Sequence, residues 1–140
     1  MKAIASALLL FPAPLLAQRF ETVPLDYGFY VRTEASCADA SPATLTIHHS
    51  KGLLGLMDFC RFEAIAQTGP DSYSVTQTCG PDEAHADTDT VTYELNGRTQ
   101  FKMISPYGWD YTSRLCSQSD LPPPFDEIDL PDLFGQLVLW

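Results

Sequence analysis

The sequence predicts an all-β domain, a small antiparallel sandwich or barrel of about six strands. Three observations carry this: period-two alternation through the middle of the chain, two hairpin signals, and cysteines placed at mirror positions about the first hairpin. Phe29 and Val31 share one face of a first strand, with Tyr30 and Arg32 on the other. Leu45, Ile47 and His49 alternate with Thr44, Thr46 and His48, which sets His49 inward with Ile47 and His48 outward.

Residues 59–66 and 73–79 flank the turn Gln67 to Ser72. Folding about Gly69-Pro70 sets Ala66 opposite Tyr73, Ala64 opposite Val75, Phe62 opposite Gln77 and Cys60 opposite Cys79. Directly opposed residues stand close enough for a disulfide in a narrow pair. Four cysteines allow three connectivities. Choosing Cys60–Cys79 leaves Cys37–Cys116. No Cys-x-x-Cys occurs, so redox or zinc chemistry has no motif here.

In the second hairpin Val91, Tyr93 and Leu95 lead to Asn96-Gly97, a two-residue turn signal. That short loop would set Tyr93 against Gln100. A three-residue loop sets Tyr93 against Phe101 and Val91 against Met103, and packing favours the longer loop. The last strand runs over 109–116 with Trp109, Tyr111 and Leu115 on one face.

The ends differ from this domain. Residues 1–17 read as an export signal: Lys2, then an apolar run to Leu16 broken by Pro12 and Pro14, with Ala17 before the cut. The run is too short to span a bilayer as a helix. Residues 18–116 form the β domain and 117–140 an acidic, apolar tail. Its Pro122-Pro123-Pro124 run predicts an extended spacer. Beyond it Asp129 or Leu130 caps a short helix carrying Pro131, with Leu130, Leu133, Phe134 and Leu137 on one face. The tail either folds back over the barrel's open edge or mouth, or serves as a recognition peptide.

With 18 acidic residues against eight basic ones, the net charge is −10. Such a surface repels nucleic acid and favours basic protein partners. Export and paired cysteines point to a periplasmic or secreted protein. The loop from Gly80 to Thr90 carries Asp82, Glu83, Asp87 and Asp89. Asp87-x-Asp89 is similar to the start of a calcium loop but lacks the later ligands, so no metal or cofactor is expected.

Tyr107, Trp109 and Tyr111, within Pro106 to Tyr111, form an aromatic contact element. Phe125, Leu133, Phe134 and Trp140 are the corresponding tail residues. In architecture alone the pattern resembles the calycin-like barrels and the small periplasmic lysozyme inhibitors. No stretch matches the inhibitors' Ser-Gly recognition loop. The expected function is therefore non-enzymatic binding, in one form inhibition of a basic secreted enzyme. A small-ligand carrier using a calycin-like barrel mouth is the second reading. A hydrolase built around His48, His49 or His85 is the third.

Overall fold

A computed structural model describes residues 9–10, 20–55 and 58–136. Apart from residues 9 and 10, the expected export signal lies outside the described residues, as do Leu137 and Trp140. The chain forms an eight-stranded closed barrel, two strands more than expected, in the order β1(Gly28–Arg32), β2(Leu45–His49), β3(Gly52–Leu54), β4(Phe59–Gly69), β5(Ser72–Gly80), β6(Asp87–Leu95), β7(Gln100–Ile104) and β8(Asp110–Cys116). Every neighbouring pair is antiparallel, and β1 pairs with β8 (Tyr30 opposite Leu115) to close the ring and remove the sheet edges.

Strand β3 has only three residues, too few to alternate visibly in the sequence. Gly52 makes its hairpin possible. It adopts φ 156°, and a Cβ there would stand 1.8 Å from the Cys60 carbonyl oxygen.

Both expected disulfides are present. Cys37–Cys116 and Cys60–Cys79 have Cα separations of 5.9 and 4.0 Å. Two bridges are compatible with an oxidising compartment. Among the described residues no helix is long and apolar enough to cross a membrane.

The first hairpin keeps Cys60 opposite Cys79 and Phe62 opposite Gln77, then departs from the simple register. A bulge between Phe62 and Ala64 sets Ala64 opposite Thr76, Ile65 opposite Val75 and Gln67 opposite Tyr73. The extra residue exchanges the faces, so Ile65 (6% exposed) enters the core where simple alternation would put Ala64 and Ala66. In the second hairpin Leu95 pairs with Phe101 and Tyr93 with Met103. The loop is longer than two residues, as packing favours, but the register lies two residues beyond the expected Tyr93–Phe101 pair. Tyr93 and Phe101 still share a face.

The barrel interior holds Tyr30, Phe62, Val75, Tyr93, Phe101 and Met103, with Phe20, Val23 and Leu25 from the preceding segment packed among them. A second core lies outside the barrel. Phe29, Val31, Leu45 and Ile47 point away from the interior and are covered by Leu121 and Phe125, with Ile128, Leu130 and Leu133 packed beside them. The tail therefore folds back onto the outer face of β1 and β2, neither over an edge nor over the mouth. Pro122–Pro124 is not an extended spacer: the Phe125 N–H donates to the Pro122 carbonyl in a turn, and Leu121 and Phe125 on either side are both packed in the outer core. The helix α1(Leu130–Gln136) begins as expected, with Asp129 Oδ1 accepting from the Asp132 N–H at 3.0 Å.

The outer core reverses the expected histidine assignment. His48 lies inside the barrel, fully buried between Tyr27, Tyr30 and Phe62. His49 points outward and stacks on Phe59 at 5.4 Å. Alternation separated the two faces, but both are buried: on the one that faces away the tail covers Leu45 and Ile47, and His49 packs on Phe59.

Burial lowers the His48 pKa to about 4; the charge of His49 adds to this, and the backbone of Asp26 opposes it. The folded state thus binds fewer protons than the unfolded state between about pH 4 and the ordinary value of 6.5. The contribution of His48 to stability is full above that window, is lost as pH drops through it, and changes no further below about pH 4. The loss is about 3 kcal/mol. Urea unfolding of wild type and His48→Gln across this range should show a steeper decline in the wild type. Parallel curves would show that His48 charges without cost.

Candidate binding site in the barrel mouth

One end of the barrel is open. At the ends of β1, β3, β5 and β7 the inward side chains stop filling the interior and leave a cavity of about 310 Å³. Its apolar wall is Leu53, Val91, Met103 and the Cys60–Cys79 bridge. Its polar lining includes Arg32, Thr46, Asp58, Gln77 and Asp89. Pro106, Tyr107, Trp109 and Tyr111 complete the rim.

Each polar group is placed by its strand. Arg32 follows Tyr30 on the inward face of β1, and its guanidinium rests 4.3 Å from the centroid of the Tyr111 ring. Tyr111 stacks on Trp109, with centroids 6.4 Å apart and planes 11° from parallel. Burial pushes the Tyr111 phenol up to about 12; Arg32 opposes this and Asp58 adds to it, so the hydroxyl stays protonated at neutral pH. Deeper in the barrel the Tyr93 hydroxyl donates to Gln77 Oε1 at 2.9 Å, and burial raises that phenol well above its usual range.

The rim loop is a tight turn between β7 and β8. Ser105 N–H donates to the Trp109 carbonyl at 2.9 Å, and Gly108 takes φ 90°, a conformation that favours glycine. Ser105 Oγ accepts from the Tyr107 N–H. The Tyr107 hydroxyl donates to Asp89 Oδ1 at 2.6 Å across the rim, and this bond raises its pKa. Tyr107 and Trp109 remain 72% and 52% exposed.

The expected aromatic element is thus brought together at the mouth. The expected tail residues are elsewhere: Phe125 is 7% exposed within the outer core and Leu133 packs against that core. Phe134 falls within α1, and Trp140 lies outside the described residues. The acidic loop does not act as a unit either. Asp82 caps a short turn by accepting from the His85 N–H, while Asp89 turns into the mouth. Among the described residues no group of three or more His, Cys, Asp or Glu side chains is placed to hold a metal ion.

The sequence reading missed Arg32, Thr46, Asp58 and Gln77 as site residues. Their parity was available, since Arg32 shares a face with Tyr30 and Gln77 one with Val75. The signal lacking was which face looks inward.

Fold and site together define a disulfide-bridged, up-and-down antiparallel barrel with one filled end and one open mouth. Comparison with known protein families, with curated proteins and with solved structures found no match to this chain.

Proposed function

We propose that this is an exported, non-enzymatic binding protein whose recognition site is the barrel mouth, and that its ligand is a small molecule. One observation carries this reading: an open cavity of about 310 Å³ that combines an apolar wall with convergent polar groups beneath an aromatic rim. That volume lies at the lower end of small-molecule sites, so the ligand is smaller than a typical drug. The histidines on which a hydrolytic reading would draw are dispersed. His48 is in the core, His49 is stacked on Phe59 outside the barrel, and His85 is on an exposed turn.

Native mass spectrometry of the protein purified from its own compartment tests the reading. The expected result is a discrete low-mass adduct on the wild type that is lost from Trp109→Ala. An adduct indifferent to Trp109, or none in protein kept from dialysis, would sink it.

A second reading is favoured by the exposed rim of Tyr107 and Trp109 on a chain of net charge −10. A basic protein partner, such as a secreted enzyme held by inhibition, would meet both features. Its association should slow as salt is added, whereas a salt-independent on-rate would remove the electrostatic argument.

A further inference from the structure

The charges of the mouth are not paired with one another. Among the described residues the Arg32 guanidinium makes no ion pair and no hydrogen bond; it has only the face of Tyr111. Asp58 makes no ion pair, and Asp89 accepts only from Tyr107. The topology explains the separation. Arg32 ends β1; Asp58 leads into β4, three strands round the ring in one direction, and Asp89 lies in β6, three strands round in the other. Cation and carboxylates therefore stand on well-separated strands of one cavity wall.

Other polar capacity is also unused. Thr46 Oγ1 is buried in the cavity wall without a hydrogen-bond partner. Gln77 has its Oε1 occupied by Tyr93, which leaves its N–H₂ as the group still able to bond. With the Tyr111 hydroxyl, these donors accompany Arg32.

Ligand classes can be separated on this charge pattern. An apolar ligand would take the half-buried Arg32 and Asp89 further from water with nothing in return. A polyanion would meet two carboxylates and a chain of net charge −10. A simple amine would have to share the cavity with an unpaired guanidinium. A molecule carrying one carboxylate and one ammonium satisfies both signs: the planar fork of arginine suits a carboxylate, and an ammonium suits the aspartates.

We propose that the barrel mouth binds a small zwitterion of the ω-amino-acid type, with its charges at opposite ends: its carboxylate on Arg32, its ammonium toward Asp58 and Asp89, and its methylene chain against Val91 and Met103. This inference rests on the reading of the mouth as a small-molecule site.

Titration calorimetry on the oxidised, exported protein tests it with two matched probe sets. One is 6-aminohexanoate, hexylamine and hexanoate; the other is 4-aminobutanoate, butylamine and butanoate. At least one amino acid should bind tenfold or more tightly than both of its single-charge analogues. Arg32→Met, which keeps an apolar stem over Tyr111, should reduce that amino acid to the level of its amine. Asp58→Asn should reduce it to the level of its acid. An analogue that binds as tightly as the amino acid overturns the assignment, and so does the absence of binding by every probe. If the native protein still carries a Trp109-dependent adduct, only the ligand class falls and the mouth remains the site. If it carries none, both readings fall together.

Discussion

Replacing Cys37 and Cys116 together by alanine should lower stability by about 4.5 kcal/mol, against about 3 kcal/mol for the Cys60/Cys79 pair. The difference follows from loop length. The two bridges close loops with sequence separations of 79 and 19 residues, and the longer loop removes more freedom from the unfolded chain. For a chain of this size the larger loss corresponds to a midpoint roughly 15 °C lower. Packing adds in the same direction. Cys116 is 5% exposed and sits among Phe29, Val31 and Leu121, so its bridge also fastens the outer core on which the tail rests. Alanine avoids burying a serine hydroxyl without a partner. Chemical unfolding of the two double variants decides the matter. A Cys60/Cys79 variant that loses as much as the other would show that loop entropy is not the controlling effect. The two should also differ in kind: the short-loop variant alters the cavity wall and should weaken mouth binding, while the long-loop variant should leave it intact at temperatures where both are folded.

The longer strands, both disulfides and the aromatic cluster of 107–111 could be read from the sequence because each rests on local information, whereas the three-residue β3 could not. Alternation marks a strand, opposition about a turn pairs Cys60 with Cys79, and exclusion pairs the other two. What could not be read depends on a choice made by the whole fold. A two-faced strand does not say which face looks inward. In β1 and β2 the apolar set, Phe29, Val31, Leu45 and Ile47, points outward because Leu121 and Phe125 cover it, and that leaves Arg32 and Thr46 inside. The mouth was hidden for the same reason, since its polar residues carry solvent-like identities until a tail from the far end of the chain buries their neighbours. The bulge at Glu63 was hidden differently. One unpaired residue leaves no compositional mark, and it is resolved only by the gain from burying Ile65 over Ala64.

Phe101→Ala should cost about 3–5 kcal/mol and also lower mouth affinity at least tenfold. Phe101 is fully buried, with ring centroids of Tyr30, Tyr93 and Tyr111 at 5.4, 5.5 and 6.1 Å. Three tyrosines around one phenylalanine cannot collapse easily into the space it leaves. Tyr30 is held by its hydroxyl on the Asp26 carbonyl at 2.7 Å, and Tyr93 by its bond to Gln77. The vacancy would therefore persist beneath the cavity floor, and nearby hydroxyls would let water enter it. Tyr111 would lose the edge contact that positions its ring, and Arg32 rests on that ring. Phe101→Leu separates the two consequences. It keeps most of the floor and should cost about 1–1.5 kcal/mol, with binding close to wild type. Both variants are to be compared well below their midpoints, so that unfolding does not pass for lost affinity. If Phe101→Ala binds as the wild type does while losing stability, the floor does not position Tyr111 and the aromatic rim alone holds the ligand. If it loses less than about 1 kcal/mol, the barrel repacks around the gap, and the filled lower half is softer than its ring contacts imply.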